Sequence, residues 1–132
     1  MSRISLIACA FLIPQLLCGE LPPSAYEAMQ AAAPERLEIQ VLRVDIEAGD
    51  VPEQLKVHLT ALVNSVARTA SNLKPGEVLN VTYVVADRPK SWAGPGEIPI
   101  LSEKDKTVAY LAKVDESPDY RPAAGAMSFR NF

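Results

Sequence analysis

Two long runs of alternating apolar and polar residues, each broken in phase, constrain this chain more than any other feature. In the first, Leu37, Ile39 and Val41 alternate with Glu38 and Gln40. One step later the apolar set is Leu42, Val44 and Ile46, with Arg43, Asp45 and Glu47 opposite. In the second, Leu55, Val57, Leu59, Ala61 and Val63 alternate with Lys56, His58, Thr60, Leu62 and Asn64. Val66 then takes the apolar role beside Arg68. A period of two describes a strand with one buried face. A slip of one residue moves every later side chain to the other face, which is what the extra residue of a β-bulge does. Bulges bend strands, and two long bent strands suit a sheet that curls into a barrel.

The remaining segments fit that reading. Ala48-Gly49-Asp50-Val51-Pro52 separates the two runs as a turn. Lys74-Pro75-Gly76-Glu77 suits a type II turn, with Pro75 at the first corner and Gly76 supplying positive φ at the second. A third strand is expected over Val78–Ala86, with Leu79, Val81, Tyr83 and Val85 on one face. Residues 87–99 leave the sheet with three prolines and two glycines, and Ile98-Pro99-Ile100-Leu101 returns to the core. A fourth strand is expected over Thr107–Val114, with Val108, Tyr110, Ala112 and Val114 aligned, and a fifth near Ala126–Phe129. The fold class is therefore all-β with one short N-terminal helix, a small five-stranded OB-like barrel, with a β-sandwich as the alternative. The helix is expected over Ala25–Ala33, opened by a capping box from Ser24 to Glu27 and stopped by Pro34.

The first twenty residues have a different composition. Arg3 is followed by the almost wholly apolar run Ile4–Ile13, and Cys18-Gly19 supplies small residues near its end. This is the pattern of a secretory signal peptide, with cleavage expected after Gly19. The run is short of the roughly 20 residues that span a bilayer, so no membrane span is expected after cleavage. Lipidation at Cys18 is a second route, against which stands the large Leu17 before it. The expected organisation is residues 1–19 as signal, 20–35 as spacer and short helix, and 36–132 as the barrel domain. The expected location is secreted or periplasmic.

Cleavage removes both cysteines, so the mature domain holds together without disulfides. Loss of Arg3 from the 13 basic residues leaves 12 against 16 acidic ones, a formal charge of −4. Such a surface gives no electrostatic basis for binding nucleic acid.

The chemistry-bearing residues are few. His58 is the lone histidine, placed by alternation on the outer face, and no second His or Cys completes a zinc set. Glu47, Asp50 and Glu53, and again Asp115, Glu116 and Asp119, are acidic groups without the pattern of a calcium loop. Asn80-Val81-Thr82 matches a glycosylation acceptor but lies within a strand. Trp92 is the most suggestive residue. It sits in a proline-stiffened loop with Arg88 and Lys90, where an indole stacks on a ring and the cations grip an anionic group. The alternative is that it plugs one end of the barrel. Tyr120 and Arg121 join this candidate site if the last strand runs beside that loop.

The order Val63-x-x-Val66, Leu73-x-x-Gly76, Val78-x-x-Val81-x-Tyr83, Ile98-Pro99-Ile100-Leu101, Ala109-Tyr110-Leu111 and Tyr120-x-Pro122-Ala123-Ala124-Gly125 resembles a group of small secreted bacterial proteins. More distantly, it resembles the netrin-type module of the tissue inhibitors of metalloproteinases. The resemblance covers about Arg36–Phe129 and implies an OB-like fold. Those inhibitors chelate zinc through a mature N-terminal cysteine, a part only Cys18 can play here, and the stapling disulfides of that family are missing.

The function expected from the sequence is an exported, non-catalytic binding or adaptor domain. It would recognise a protein, peptide or glycan through Trp92, Arg88, Lys90, Tyr120 and Arg121, with no catalytic residue, cofactor or metal. A netrin-like protease inhibitor is the alternative, and a carboxylate-based hydrolase stands behind it.

Overall fold

A computed structural model of the chain describes residues 22–86 and 97–131. The elements, in chain order, are a helix α1 (Pro23–Ala32) and strands β1 (Glu35–Ala48), β2 (Gln54–Arg68), β3 (Val78–Ala86), β4 (Lys106–Lys113), β5 (Tyr120–Pro122) and β6 (Phe129–Asn131). Strands β1, β2 and β3 form an antiparallel meander. β5 then pairs in parallel with β3, β4 pairs antiparallel with β5, and β4 returns to β1. Five strands thus close into a mixed barrel of the OB-like kind, one continuous sheet in place of the two packed sheets of a sandwich. β6 is an added short strand along β4.

The phase slips are bulges. Leu42 has no partner between Val41↔Ala61 and Arg43↔Thr60, and Asn64 has none between Ile39↔Val63 and Glu38↔Ser65. A further shift at Arg36/Leu37 leaves Ala67 unpaired. Each extra residue increases local twist, which is how strands of this length wrap a narrow core. The expected inward set of the first half of β1 is buried: Leu37, Ile39 and Val41. Past the bulge the expectation holds only for Val44, which packs on the core; Leu42 and Ile46 are exposed. The β1–β2 hairpin there extends beyond the cross-strands that bury its base, because β4 pairs with β1 only as far as Gln40.

The barrel is filled by Leu37, Ile39 and Val41 of β1, Val57, Leu59, Ala61 and Val63 of β2, Leu79, Val81, Tyr83 and Val85 of β3, and Ala109 and Leu111 of β4. The aromatic rings of Tyr83 and Phe129 lie 5.8 Å apart at one end. The Tyr83 hydroxyl donates to the Pro99 carbonyl at 2.7 Å, tying the returning segment to the barrel. Burial pushes the Tyr83 phenol up to about 12 from 10.0, with the Leu101 backbone offsetting part of the effect.

β4 departs from the expected alternation. It is buried on both faces: Ala109 and Leu111 face the barrel, while Tyr110 packs with Ala33 and Ala124 beneath α1. The set expected to be aligned on one face, Val108, Tyr110 and Ala112, is therefore on the outer side of the barrel. The fifth strand also differs from its expected place. Tyr120–Pro122 closes the barrel, and Gly125–Met127 is a single 3-10 turn leading into β6. Gly125 has φ +53, and a Cβ there would meet the Tyr26 ring at 3.5 Å. The Pro-Ala-Ala-Gly run thus lets the chain pass between β4 and α1. Ala124 is fully buried in that passage, and Ser128 Oγ accepts from Ala124 N–H and donates to the Gly125 carbonyl.

The helix begins earlier than the capping-box pattern implies. Pro22 is the cap and makes no side-chain bond; Ser24 lies inside the first turn. Pro23 accounts for this, because its fixed φ suits the first helical position and its missing N–H is one the helix start leaves unpaired anyway. The C-terminal carbonyls are held by Arg68, whose guanidinium donates to Ala33 O at 2.9 Å and Gln30 O at 2.7 Å. A cation there also opposes the negative end of the helix dipole.

Candidate functional site

The β1–β2 hairpin turns tightly at Gly49, whose N–H donates to Gln54 O at 2.8 Å. A Cβ at Gly49 would lie 2.7 Å from that of Gln54, so the close approach needs glycine. Glu53, entering β2, takes the left-handed conformation at φ 67. The tip leans toward the end of β3 and leaves a cleft of about 410 Å³. Its lining comes from the hairpin tip (Val51, Pro52, Glu53, Gln54), the end of β3 (Val84, Val85, Ala86) and Glu97. Its accessible lining is mainly polar, although half-exposed Val51 and Val84 border it. Two acidic residues, Glu53 and Glu97, line it from separate parts of the chain.

The outer face of β2 and β3 is polar around His58. His58 sits between two partners, with Nε2 at 3.2 Å from Glu47 Oε1 and Nδ1 at 3.2 Å from Thr82 Oγ1. One step along, Thr60 Oγ1 donates to Asn80 Oδ1 at 3.2 Å. Register explains the grouping: His58 faces Thr82, and Thr60 faces Asn80. The imidazole bridges a carboxylate and a hydroxyl in the order of a nucleophilic relay. Its side chain, however, is 40% exposed and stands on open sheet, where water screens the pairing. No aromatic side chain stands on the outer face of β2 or β3, so the base- or sugar-stacking platform of many OB folds is missing there.

The residues expected to form the site are distributed unevenly. Trp92, Arg88 and Lys90 lie outside the described residues. Tyr120 is buried, with its hydroxyl 2.7 Å from Ser71 Oγ. Arg121 is exposed beside it, on β5 opposite Ala112.

Sequence reasoning missed a buried carboxylate. Glu35 is 1% exposed. Its Oε1 accepts from Thr69 Oγ1 at 2.5 Å, Ser71 Oγ at 3.0 Å, Ala70 N–H at 3.1 Å and Ser71 N–H at 3.4 Å. The Ser71 proton is committed to Glu35, so the Tyr120 hydroxyl donates to Ser71. Thr69 Oγ1 in turn accepts from Leu73 N–H. One chain of bonds therefore ties the start of β1, the loop after β2 and the closing strand. Glu35 directly follows a proline and lies 34 to 36 residues before its partners in the chain. No local pattern marks it.

Among the described residues, no group of three or more His, Cys, Asp or Glu side chains converges to hold a metal ion. No described helix is long and apolar enough to cross a membrane. Comparison with protein-family models, with curated proteins and with solved structures gave no significant match.

Proposed function

We propose that this chain is an exported, non-catalytic binding or adaptor domain that recognises a protein, peptide or glycan through its Trp92 segment. The supporting observation is a shared boundary. Ala86 and Glu97, which bracket residues 87–96, both line the cleft. Trp92 is six residues from one and five from the other. At no more than about 3.6 Å per residue, chain geometry tethers it within about 18 Å of Glu97. A volume of about 410 Å³ falls in the range of roughly 300–1,000 Å³ found for ligand sites. Indole and guanidinium groups add stacking and anion contacts of the kind that dominate recognition surfaces. Among the described residues of the set Arg121 is exposed, and Tyr120 serves it by holding β5 in place.

Export is the expectation carried by residues 1–19, and the netrin-like inhibitor reading requires Cys18 at the mature N-terminus. N-terminal sequencing of the exported protein separates the two: a start at Glu20 removes the inhibitor reading. One observation favours a hydrolase as second reading, the presence of Glu53 and Glu97 in a single cleft. The purified protein is tested against peptide and oligosaccharide arrays, with Trp92→Ala alongside. Loss of array binding with an unchanged melting curve supports the proposal. Turnover of an array sugar that Glu53→Gln and Glu97→Gln each abolish would replace it with the hydrolase.

A further inference from the structure

The seam between β3 and β5 leaves part of β3 without a neighbour. Val63 N–H donates to Glu77 O, and Val63 O accepts from Gly76 N–H. In an antiparallel ladder the backbone groups of alternate residues point to the same partner. The register from Leu62↔Val78 onward then turns Leu79, Val81, Tyr83 and Val85 toward β2, and Asn80, Thr82, Val84 and Ala86 away from it. β5 meets β3 only at the parallel bridge Val81↔Tyr120, whose outward-facing backbone groups are those of the flanking Asn80 and Thr82. β6, which continues along β4 past β5, pairs with β4 alone. Among the described residues, Val84 and Ala86 therefore have no strand on their outer edge, and both line the cleft.

Open edges are templates for a further strand, and proteins blunt them with prolines, charges or bulges. β3 carries none of these: its sequence is Val-Leu-Asn-Val-Thr-Tyr-Val-Val-Ala, paired with β2 without a register shift. The 87–96 segment is a poor strand to fill the place itself, because Pro89 and Pro95 each lack an N–H. The charged residues among the described cleft lining are both acidic, Glu53 and Glu97.

We propose that the edge of β3 at Val84 and Ala86 takes an extended peptide as an added strand, with a basic side chain of that peptide directed to Glu53 and Glu97. This rests on the binding reading above and names its partner class. Main-chain bonds to Val84 and Ala86 supply affinity, while the cleft selects among side chains on alternate positions.

The test uses the full protein and a capped peptide of alternating valine and lysine, with a twin N-methylated at alternate amides. Amide exchange by NMR shows Val84 and Ala86 unprotected in the free protein and protected by the peptide. The N-methylated twin binds at least about tenfold more weakly, because it lacks the donors. Glu53→Gln combined with Glu97→Gln weakens the parent peptide and removes its salt dependence. Binding indifferent to N-methylation overturns strand addition and leaves the binding reading standing. Protection of Val84 and Ala86 in the free monomer, or a dimer that protects them, overturns it by showing the edge already occupied. No saturable binding below about 1 mM also overturns it. The Trp92→Ala array result is independent of all these outcomes, so failure of the Trp92 reading is recognised separately.

Discussion

Replacing Glu35 by alanine should be the most damaging single polar substitution in this chain. The carboxylate is 1% exposed and one of its oxygens accepts four hydrogen bonds. Alanine leaves the Thr69 and Ser71 hydroxyls and the Ala70 and Ser71 amides without their acceptor. A buried donor left unsatisfied costs about 1–3 kcal/mol. The hydroxyls can rotate toward other acceptors and the vacated space can admit water, which offsets part of that cost. A net loss of about 3–5 kcal/mol is expected, a large share of the roughly 5–15 kcal/mol that holds a typical domain together. Glu35→Gln keeps an acceptor oxygen in place and loses only the charge assistance, so about 1–2 kcal/mol is expected. Urea unfolding followed by circular dichroism measures both, with the m-value showing whether the denatured state has changed. A Glu35→Ala midpoint corresponding to less than about 0.5 kcal/mol of destabilisation would show that the carboxylate does not organise the loop after β2.

Gly76→Ala should cost about 1 kcal/mol in the same assay. A Cβ there meets nothing within 4 Å, so the loss comes from forcing φ +93 on alanine. Arg68→Ala should release the end of α1, seen as faster amide exchange over residues 27–33 with β2 unchanged; unchanged exchange would remove the capping role of its two carbonyl contacts. Tyr83 sets an alkaline limit. Its folded pKa is raised above the unfolded value, so its contribution is complete below about pH 10 and is lost as pH climbs to about 12. The loss should approach about 2–3 kcal/mol, and a stability flat across that window in wild type but not in Tyr83→Phe would contradict it.

The parts of the fold that were legible in the sequence share one property: a single buried face. β1 up to Val41, β2 and β3 alternate cleanly because water covers their other side, and the bulges of β1 and β2 show as slips in phase. β4 hides from that logic because α1 and the closing segment bury its outer face, so Tyr110 and Leu111 are both apolar neighbours. β5 is three residues long and held by one bridge to β3 and three pairs to β4, too short to leave a period. The polar site components follow the same division. His58 was placed outward by alternation, whereas its contacts with Glu47 and Thr82 depend on cross-strand register that only the folded sheet supplies. The cleft depends on which loop the hairpin tip approaches, and nothing within Val51–Gln54 encodes the distant Glu97.

Trp92 is the single tryptophan of the chain, so its emission reports directly on the segment to which binding is assigned. The most direct measurement is a fluorescence titration of the purified protein with peptides and oligosaccharides recovered from the array, paired with the melting temperature of Trp92→Ala. The account predicts a saturable emission shift for at least one partner, and a Trp92→Ala melting temperature within about 2 °C of wild type. A spectrum that no partner shifts, together with a Trp92→Ala protein that melts about 10 °C lower or more, would contradict it and make Trp92 a plug of the barrel.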